Sequence, residues 1–234
     1  MKMKDKNQKK SLKVAIVRFP ASNCDWDTYN YFKNAGHKPY FIWYQDTKLG
    51  DPDLLILPGG FAFGDRVYKK ATHEFKIDPG EQAMKAPVME AVFKAAKKKI
   101  PILGICNGFQ ILVKAGLLPG KLEQNNVGRF VCDWTVCNIV GRSFFDDKSL
   151  LRKKFKVPVA HGYGKYFIDK KTLRKLKENG QIFLRYVGFN PNGSFQNIAG
   201  ISNHDGTVFG MMPHPERSVH KAYFMKAIEK YVKN

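Results

Sequence analysis

The stretch of residues 100–116 constrains the fold most, because it combines a buried strand, a sharp turn and a helix. Its apolar beginning ends abruptly in the sequence Gly-Ile-Cys-Asn-Gly at residues 104–108, and helical spacing of apolar residues follows. Glycine two residues to either side of Cys106 removes side chains where the strand and the helix crowd the turn. The pattern predicts a nucleophile elbow, with the Cys106 sulfur exposed at the carboxyl end of the strand.

The elbow also predicts a reactive thiol. A helix that begins directly after Cys106 places partial positive charge beside the sulfur and favours the thiolate. A free cysteine is often simply buried, so a structural thiol in a strand corner is the alternative interpretation. The Gly-x-Cys-x-Gly frame favours the nucleophile over this alternative.

Strands and helices alternate in the first half of the chain. Apolar strand patterns stand at residues 13–19, 39–44 and 53–57. A helix capped by Ser22 or Asn23 separates the first two of these strands, and a second helix with Pro87 in its first turn precedes the elbow. The alternation predicts an α/β fold: an open, mostly parallel, doubly wound sheet with helices on both faces.

The second half of the chain has a different pattern and predicts a smaller antiparallel elaboration. Candidate strands stand at residues 129–140, 157–160, 181–187, 198–202 and 208–212. Asp169 is a predicted cap of a short helix that ends at Gly180, and a last helix is predicted at about residues 218–232. We predict a disordered basic tail at 1–11, a surface excursion at 62–86, a basic connector at 141–156, and one domain over 12–234.

Composition excludes several classes of function. The 40 Lys and Arg residues against 20 Asp and Glu give a formal charge of +20, which would attract acidic partners. The lysines are scattered and no nucleic-acid-binding module is recognisable, so specific nucleic-acid binding is not expected. No apolar run approaches the roughly 20 residues that span a bilayer, and no secretory signal begins the chain. We therefore expect a cytoplasmic protein without a membrane partner.

Four cysteines and six histidines show no spacing typical of a zinc site, so no metal and reduced thiols are expected. His214 is the candidate base for Cys106, because it follows an apolar strand and lies two residues before Glu216. If both residues continue that strand, they lie on one side of it and Glu216 can orient the imidazole. His161 also follows an apolar strand and is the second candidate, ranked below His214 as the base because no carboxylate lies near it in sequence. It could line a substrate pocket or form a surface turn. The remaining histidines, His37 among them, are predicted in loops, turns or the terminal helix.

The Pro-Gly-Gly sequence that contains Gly59 and Gly60 follows a buried strand, so its N–H groups could stabilise an oxyanion. A plain tight turn is the alternative. Ligands of doubly wound sheets gather at the carboxyl ends of the strands, where this turn and the elbow would both lie.

Together these motifs resemble the triad-type, or class I, glutamine amidotransferases. The resemblance rests on Pro-Gly-Gly-Phe at 58–61, Gly-Ile-Cys-Asn-Gly-Phe-Gln at 104–110, Ala-His-Gly at 160–162 and Met-Met-Pro-His-Pro-Glu-Arg at 211–217. It is strongest for those members that act as the glutaminase subunit of an ATP-dependent synthase in purine biosynthesis. It extends from about residue 13 to residue 220.

The resemblance implies roles for individual residues. Cys106 would attack the side-chain amide of glutamine, His214 would carry the proton, and Glu216 would orient His214. Gly59, Gly60 and the N–H of Asn107 would form the oxyanion hole, while Gln110 and His161 would line the glutamine pocket. No cofactor is implied for this chain. ATP and magnesium would be used by a synthase subunit, and a small third subunit would bridge the complex.

Two stretches depart from the family's usual pattern, the long basic segment at 67–85 and the lysine-rich one at 138–156. Three other functions remain open at this point. The chain could feed ammonia to a different synthase, or it could be a catalytically silent scaffold or basic nucleic-acid binder on the same fold. It could also be a free-standing cysteine hydrolase of other amides.

Overall fold

The computed structural model describes residues 11–62, 82–140 and 153–233, which contain eleven strands and five α-helices. The strands are β1 (Lys13–Arg18), β2 (Lys38–Trp43), β3 (Leu54–Leu57), β4 (Ile102–Ile105), β5 (Lys121–Glu123), β6 (Val131–Ile139), β7 (Lys154–His161), β8 (Lys165–Phe167), β9 (Ile182–Tyr186), β10 (Ile198–Ser202) and β11 (Val208–Met211). The helices are α1 (Asp25–Asn34), α2 (Val88–Lys97), α3 (Asn107–Lys114), α4 (Lys170–Glu178) and α5 (Lys221–Lys233).

Nine of these strands form one sheet in the order β2-β1-β3-β4-β11-β10-β9-β6-β7, and β5 pairs with β8 in a small separate sheet. The five strands from β2 to β11 are parallel to their neighbours, whereas the four beyond β11 pair antiparallel. This order confirms the predicted α/β class, with its parallel half and its antiparallel elaboration. Strands β3 and β4 are apolar and fully buried, as strands covered on both faces must be.

Strand direction decides which segments share one edge of the sheet. β1, β3, β4 and β11 run the same way, so their carboxyl ends meet at one edge. Four antiparallel steps separate β11 from β7, so β7 also runs in this direction and ends at the same edge. The segments that follow β3, β4, β7 and β11 are therefore brought together, and the sequence predicts this shared edge for the segments after β3 and β4.

Strand β7 is last in the sheet order and yet contacts the centre of this edge. The N–H of His214, three residues beyond the end of β11, donates to the Pro158 carbonyl of β7 over 2.9 Å. The Cys106 thiol donates to the Ala160 carbonyl over 3.6 Å. The hairpin of β6 and β7 therefore folds back over the carboxyl ends of β4 and β11. Lys154 and Lys156, predicted in a connector, belong to this strand.

Two local predictions in the N-terminal half are wrong. The cap of α1 is Cys24 and not Ser22 or Asn23, because the Ser22 hydroxyl instead accepts from the N–H of Phe19 over 3.1 Å. His37 is not on a polar loop surface. It is buried, accepts from the N–H of Leu12 over 3.3 Å and pairs with the buried Glu229 of α5 at 3.2 Å.

Other predicted elements are confirmed. The Asp169 carboxylate caps α4, accepting from the N–H of Thr172 over 2.9 Å. The tail at 1–10, most of the excursion (residues 63–81) and the connector at 141–152 lie outside the described residues. Within the described ranges, no helix is both long enough and apolar enough to cross a membrane.

Candidate active site

The nucleophile elbow is present at Cys106. β4 ends at Ile105, α3 begins at Asn107, and Cys106 between them has φ 50° and ψ −106°, a conformation that side chains rarely adopt. The turn needs glycine at 108, because a Cβ there would lie 1.9 Å from the Leu57 carbonyl oxygen of β3. The predicted exposure of Cys106 is wrong: the residue is only 1 % exposed, because β7 covers the turn. The strain is typical of a functional residue that the surrounding structure holds in place.

His214 and Glu216 form a buried pair beside the elbow. His214 Nδ1 lies 2.7 Å from Glu216 Oε1, and both side chains are almost completely buried. The predicted pairing is present, although its predicted cause is wrong: β11 ends at Met211, and Glu216 lies in a short 3₁₀ turn at Pro215–Arg217. The turn, and not strand alternation, directs the carboxylate back to the imidazole.

The surroundings of His214 favour its charged form. Burial alone would lower the pKa, but the Glu216 carboxylate, Cys106 and Cys24 outweigh it and raise the pKa of His214 well above its usual value. Because Glu216 occupies Nδ1, Nε2 is the nitrogen left to exchange a proton with Cys106. The site can therefore hold a thiolate beside an imidazolium, which is the form in which cysteine is a nucleophile.

The glycine turn after β3 borders this pair. The Gly59 carbonyl accepts from the N–H of Cys24 over 3.2 Å, so the Gly60 N–H of the same trans peptide points away from α1. Gly60 has φ +152°, and a Cβ there would lie 2.6 Å from the Ala21 carbonyl oxygen. The turn thus requires glycine for both space and conformation. The Asn107 N–H opens α3 and is one of the donors that a helix leaves without an internal partner.

The side chains of Asn107 and Gln110 hold the elbow helix to its neighbours. Asn107 Nδ2 donates to the Ala62 carbonyl over 2.8 Å and to Gln110 Oε1 over 2.9 Å, and Gln110 Nε2 donates to the Tyr163 carbonyl over 2.8 Å. Gln110 therefore ties α3 to the loop after β7. Its contact with substrate stays a prediction, and these bonds indicate that it shapes the pocket through this loop.

His161 ends β7 as a neutral imidazole. Burial and the positive charge of nearby His214 lower the pKa of His161 to about 3. Asn192 Oδ1 accepts from the N–H and hydroxyl of Ser194 at 3.0 and 2.7 Å, which leaves its Nδ2 facing His161 Nε2 at 3.4 Å. Since Asn192 donates there, Nε2 is the acceptor and Nδ1 carries the proton. His161 thus offers an N–H donor near His214.

The sequence alone assigned no role to Cys24, Asn125 or Asn192. Asn125 accepts from the N–H of Gly164 over 3.0 Å and donates to the His161 carbonyl over 2.8 Å, which fixes the loop around the imidazole. The Cys24 thiol lies against His214. Each of these contacts joins segments far apart in sequence, so no local pattern could indicate them.

Comparison with known proteins identifies the family. The family of the CobB/CobQ-like glutamine amidotransferase domain matches residues 11–231. The chain is 42 % identical over 217 residues to the phosphoribosylformylglycinamidine synthase subunit PurQ of Aquifex aeolicus, covering 88 % of this chain and 91 % of that protein. It is 41 % identical over 210 residues to the same protein of Wolinella succinogenes, covering 89 % and 92 %. The chain belongs to the PurQ family of glutamine amidotransferase subunits.

Solved structures agree with this assignment. The structure of PurLQS from Thermotoga maritima matches with a TM-score of 0.79 at 36 % identity, covering 95 % of this chain and 100 % of that one. A glutamine amidotransferase from Thermotoga maritima matches with a TM-score of 0.56 at 19 % identity, covering 96 % and 83 %, and shows the fold alone. Membership in the PurQ family confirms the resemblance drawn from the sequence motifs.

Proposed function

We propose that this PurQ-family chain is the glutaminase subunit of phosphoribosylformylglycinamidine synthase. It hydrolyses glutamine and supplies ammonia to a synthase subunit that converts formylglycinamide ribonucleotide to formylglycinamidine ribonucleotide in purine biosynthesis. The observation that carries the proposal is the elbow nucleophile Cys106 beside the buried pair of His214 and Glu216, with the Gly59–Gly60 turn at the same edge of the sheet. The 42 % identity to a PurQ subunit supports the choice of synthase.

The reaction follows from the positions of these groups. The Cys106 sulfur attacks the side-chain carbonyl carbon of glutamine, with its proton on His214 Nε2. Negative charge develops on the carbonyl oxygen, which the N–H groups of Gly60 and Asn107 are suited to stabilise. His214 then gives its proton to the departing nitrogen, the C–N bond breaks, and ammonia and a glutamyl thioester form.

The second half of the reaction regenerates the thiol. Water adds to the thioester carbon while His214 Nε2 takes one of its protons. The C–S bond breaks, glutamate leaves and the proton returns to the Cys106 sulfur. Glu216 stays ionised throughout and holds Nδ1 of His214, so that Nε2 always faces the reacting atoms.

We place the remaining chemistry on partner subunits. A synthase subunit uses ATP and magnesium to activate the glycinamide carbonyl oxygen of its ribonucleotide substrate, which the nitrogen of ammonia replaces, and a small third subunit bridges the complex. No cofactor is needed for the glutaminase steps, since every proton transfer has a protein group to carry it out. Such a complex would work in the cytoplasm.

The test is glutamate release from glutamine by the purified chain, alone and with the synthase and small subunits, ATP, magnesium and formylglycinamide ribonucleotide. We expect slow release alone and strong activation in the complete mixture. Equal, fast release in both mixtures would point to a free-standing amidase. Absence of glutamate release in a mixture that still makes product from ammonium would contradict the proposal.

A further inference from the structure

A second thiol lies against the triad. Cys24 is a buried free cysteine at the start of α1. Its Sγ, a ring nitrogen of His214 and a carboxylate oxygen of Glu216 all lie within 4.8 Å of one another. A Cβ built on Gly59 would lie 3.3 Å from Cys24 Sγ, 3.3 Å from His214 Nδ1 and 2.6 Å from its Cε1. Thiol and imidazole therefore meet over Gly59, in the space that a side chain there would fill.

The backbone holds Cys24 in this place from both sides. Its N–H donates to the Gly59 carbonyl over 3.2 Å, which fixes it to the turn after β3. Its carbonyl accepts from the N–H of Thr28 over 3.1 Å and from the Thr28 hydroxyl over 2.9 Å, which fixes it to α1. The thiol is thus supported by the first turn of a helix and by the candidate oxyanion turn.

These three atoms have the S, N and O set of a zinc site, but their spacing argues for proton sharing. Two ligands about 2.0 Å from a tetrahedral ion lie about 3.3 Å apart. His214 Nδ1 and Glu216 Oε1 are 2.7 Å apart, which is the distance of a charge-assisted hydrogen bond. Cys24 therefore adds a third group to an intact histidine–carboxylate pair.

We propose that Cys24 is a positioning residue of the glutaminase, whose thiol packs against the imidazole of His214 and keeps the ring between Glu216 and Cys106. The inference rests on the proposed function. Without the thiol, the space above Gly59 opens and the ring can tilt away from the nucleophile. A tilt of this kind slows proton transfer more than it weakens glutamine binding.

The charge of His214 gives a second readout. Four titratable groups face this imidazole: Glu216 from the 3₁₀ turn, Cys106 from the elbow, His161 from the end of β7, and Cys24 from α1. Glu216, Cys106 and Cys24 raise the pKa of His214, whereas the neutral His161 adds no positive charge. Removal of Cys24 should therefore lower the pKa of His214, and the alkaline limb of the rate profile should move to lower pH.

The experiment compares Cys24→Ala, Cys24→Ser and Cys137→Ala in glutamate release with the synthase partners present. Cys137 is the matched control, a second buried thiol, on β6, a strand that carries no triad residue. For Cys24→Ala we expect kcat to fall about fivefold, equivalent to about 1 kcal/mol of lost positioning, with KM unchanged and the alkaline limb displaced. Cys24→Ser should recover part of both, because its hydroxyl again places a polar atom in the space above Gly59.

The outcomes separate this inference from the proposed function. An active wild-type chain whose Cys24→Ala variant keeps its kcat and pH profile would overturn the positioning role alone. An equal fall in Cys24→Ala and Cys137→Ala would also overturn it, since both losses would then reflect general packing. A wild-type chain that releases no glutamate would contradict the proposed function instead.

Discussion

The N–H of His214 donates to the carbonyl of Pro158 over 2.9 Å, so the candidate base is held by the strand at the far end of the sheet order. The same strand receives the Cys106 thiol at the Ala160 carbonyl and ends in His161. The candidate nucleophile Cys106, the candidate base His214 and the second imidazole are therefore fixed to one hairpin. The antiparallel half of the sheet is thus part of the candidate active site.

Replacement of Cys106 by alanine should abolish glutamine hydrolysis, because no other group in the elbow can form the thioester. Product formation from free ammonium by the complete complex should survive, since the synthase subunit does not need the thiol. Cys132→Ala, which removes an exposed thiol, serves as the control and should keep both activities. Glutamine-dependent synthesis by the Cys106→Ala complex would refute the mechanism.

Replacement of Glu216 by glutamine should lower the pKa of His214, because burial still disfavours its charge while the favourable carboxylate is gone. We expect kcat to fall about 100-fold, the lower range of what general acid–base catalysis supplies. Glu229→Gln is the matched control, because Glu229 is also a buried carboxylate paired with a buried histidine, His37. That control should cost stability and leave kcat nearly unchanged. Similar kcat losses in both variants would contradict the triad.

Because His161 is held neutral, folding stability should decrease as the pH falls. Its pKa is about 3 when folded and 6.5 ordinarily, so its contribution is fully present above pH 6.5 and is lost progressively as the pH falls toward 3. In urea titrations at pH 5.5 and 4.5, we expect His161→Gln to reduce the fall in unfolding free energy between these two pH values by about 1.3 kcal/mol. Parallel pH dependences in variant and wild type would show that His161 is not held neutral.

Replacement of Gly108 by alanine should destabilise the fold by more than about 3 kcal/mol, because the added methyl group would lie 1.9 Å from the backbone oxygen of Leu57. Because β3 is fully buried, β3 and α3 cannot move apart to make room for the methyl group. Gly116→Ala, at φ +68° with no atom within 4 Å, should cost only about 1 kcal/mol. Urea titration of both variants tests this difference. Equal losses of unfolding free energy would mean that the elbow can accommodate the added methyl group.

Much of the site was predictable because it depends on local patterns. A buried strand followed by Gly-x-Cys-x-Gly defines the elbow by itself, and strand direction then decides which segments share its edge. The pairing of His214 with Glu216 also followed from their proximity in sequence. Its geometry did not, since a strand and a 3₁₀ turn can both bring residues two apart into contact.

The remainder of the site depends on contacts between distant segments. The burial of Cys106 could not be predicted, because the covering strand begins some fifty residues later and reaches it only after the hairpin folds back. His37 looked like a loop residue, yet α5 supplies Glu229 from the other end of the chain. The contact between the Cys24 thiol and His214 depends on three separate elements: the start of α1, the turn at Gly59 and the segment after β11. No single stretch of sequence contains all three.

Because the backbone of Cys106 has φ 50° and ψ −106°, catalytic activity and folding stability favour different residues at this position. Glycine adopts this conformation at far lower cost, whereas a side chain there costs on the order of 1 kcal/mol or more. The residue best suited to the shape of the turn is therefore one that cannot do the chemistry. Selection for thermal stability alone would therefore favour glycine at position 106, and that variant would have no catalytic activity.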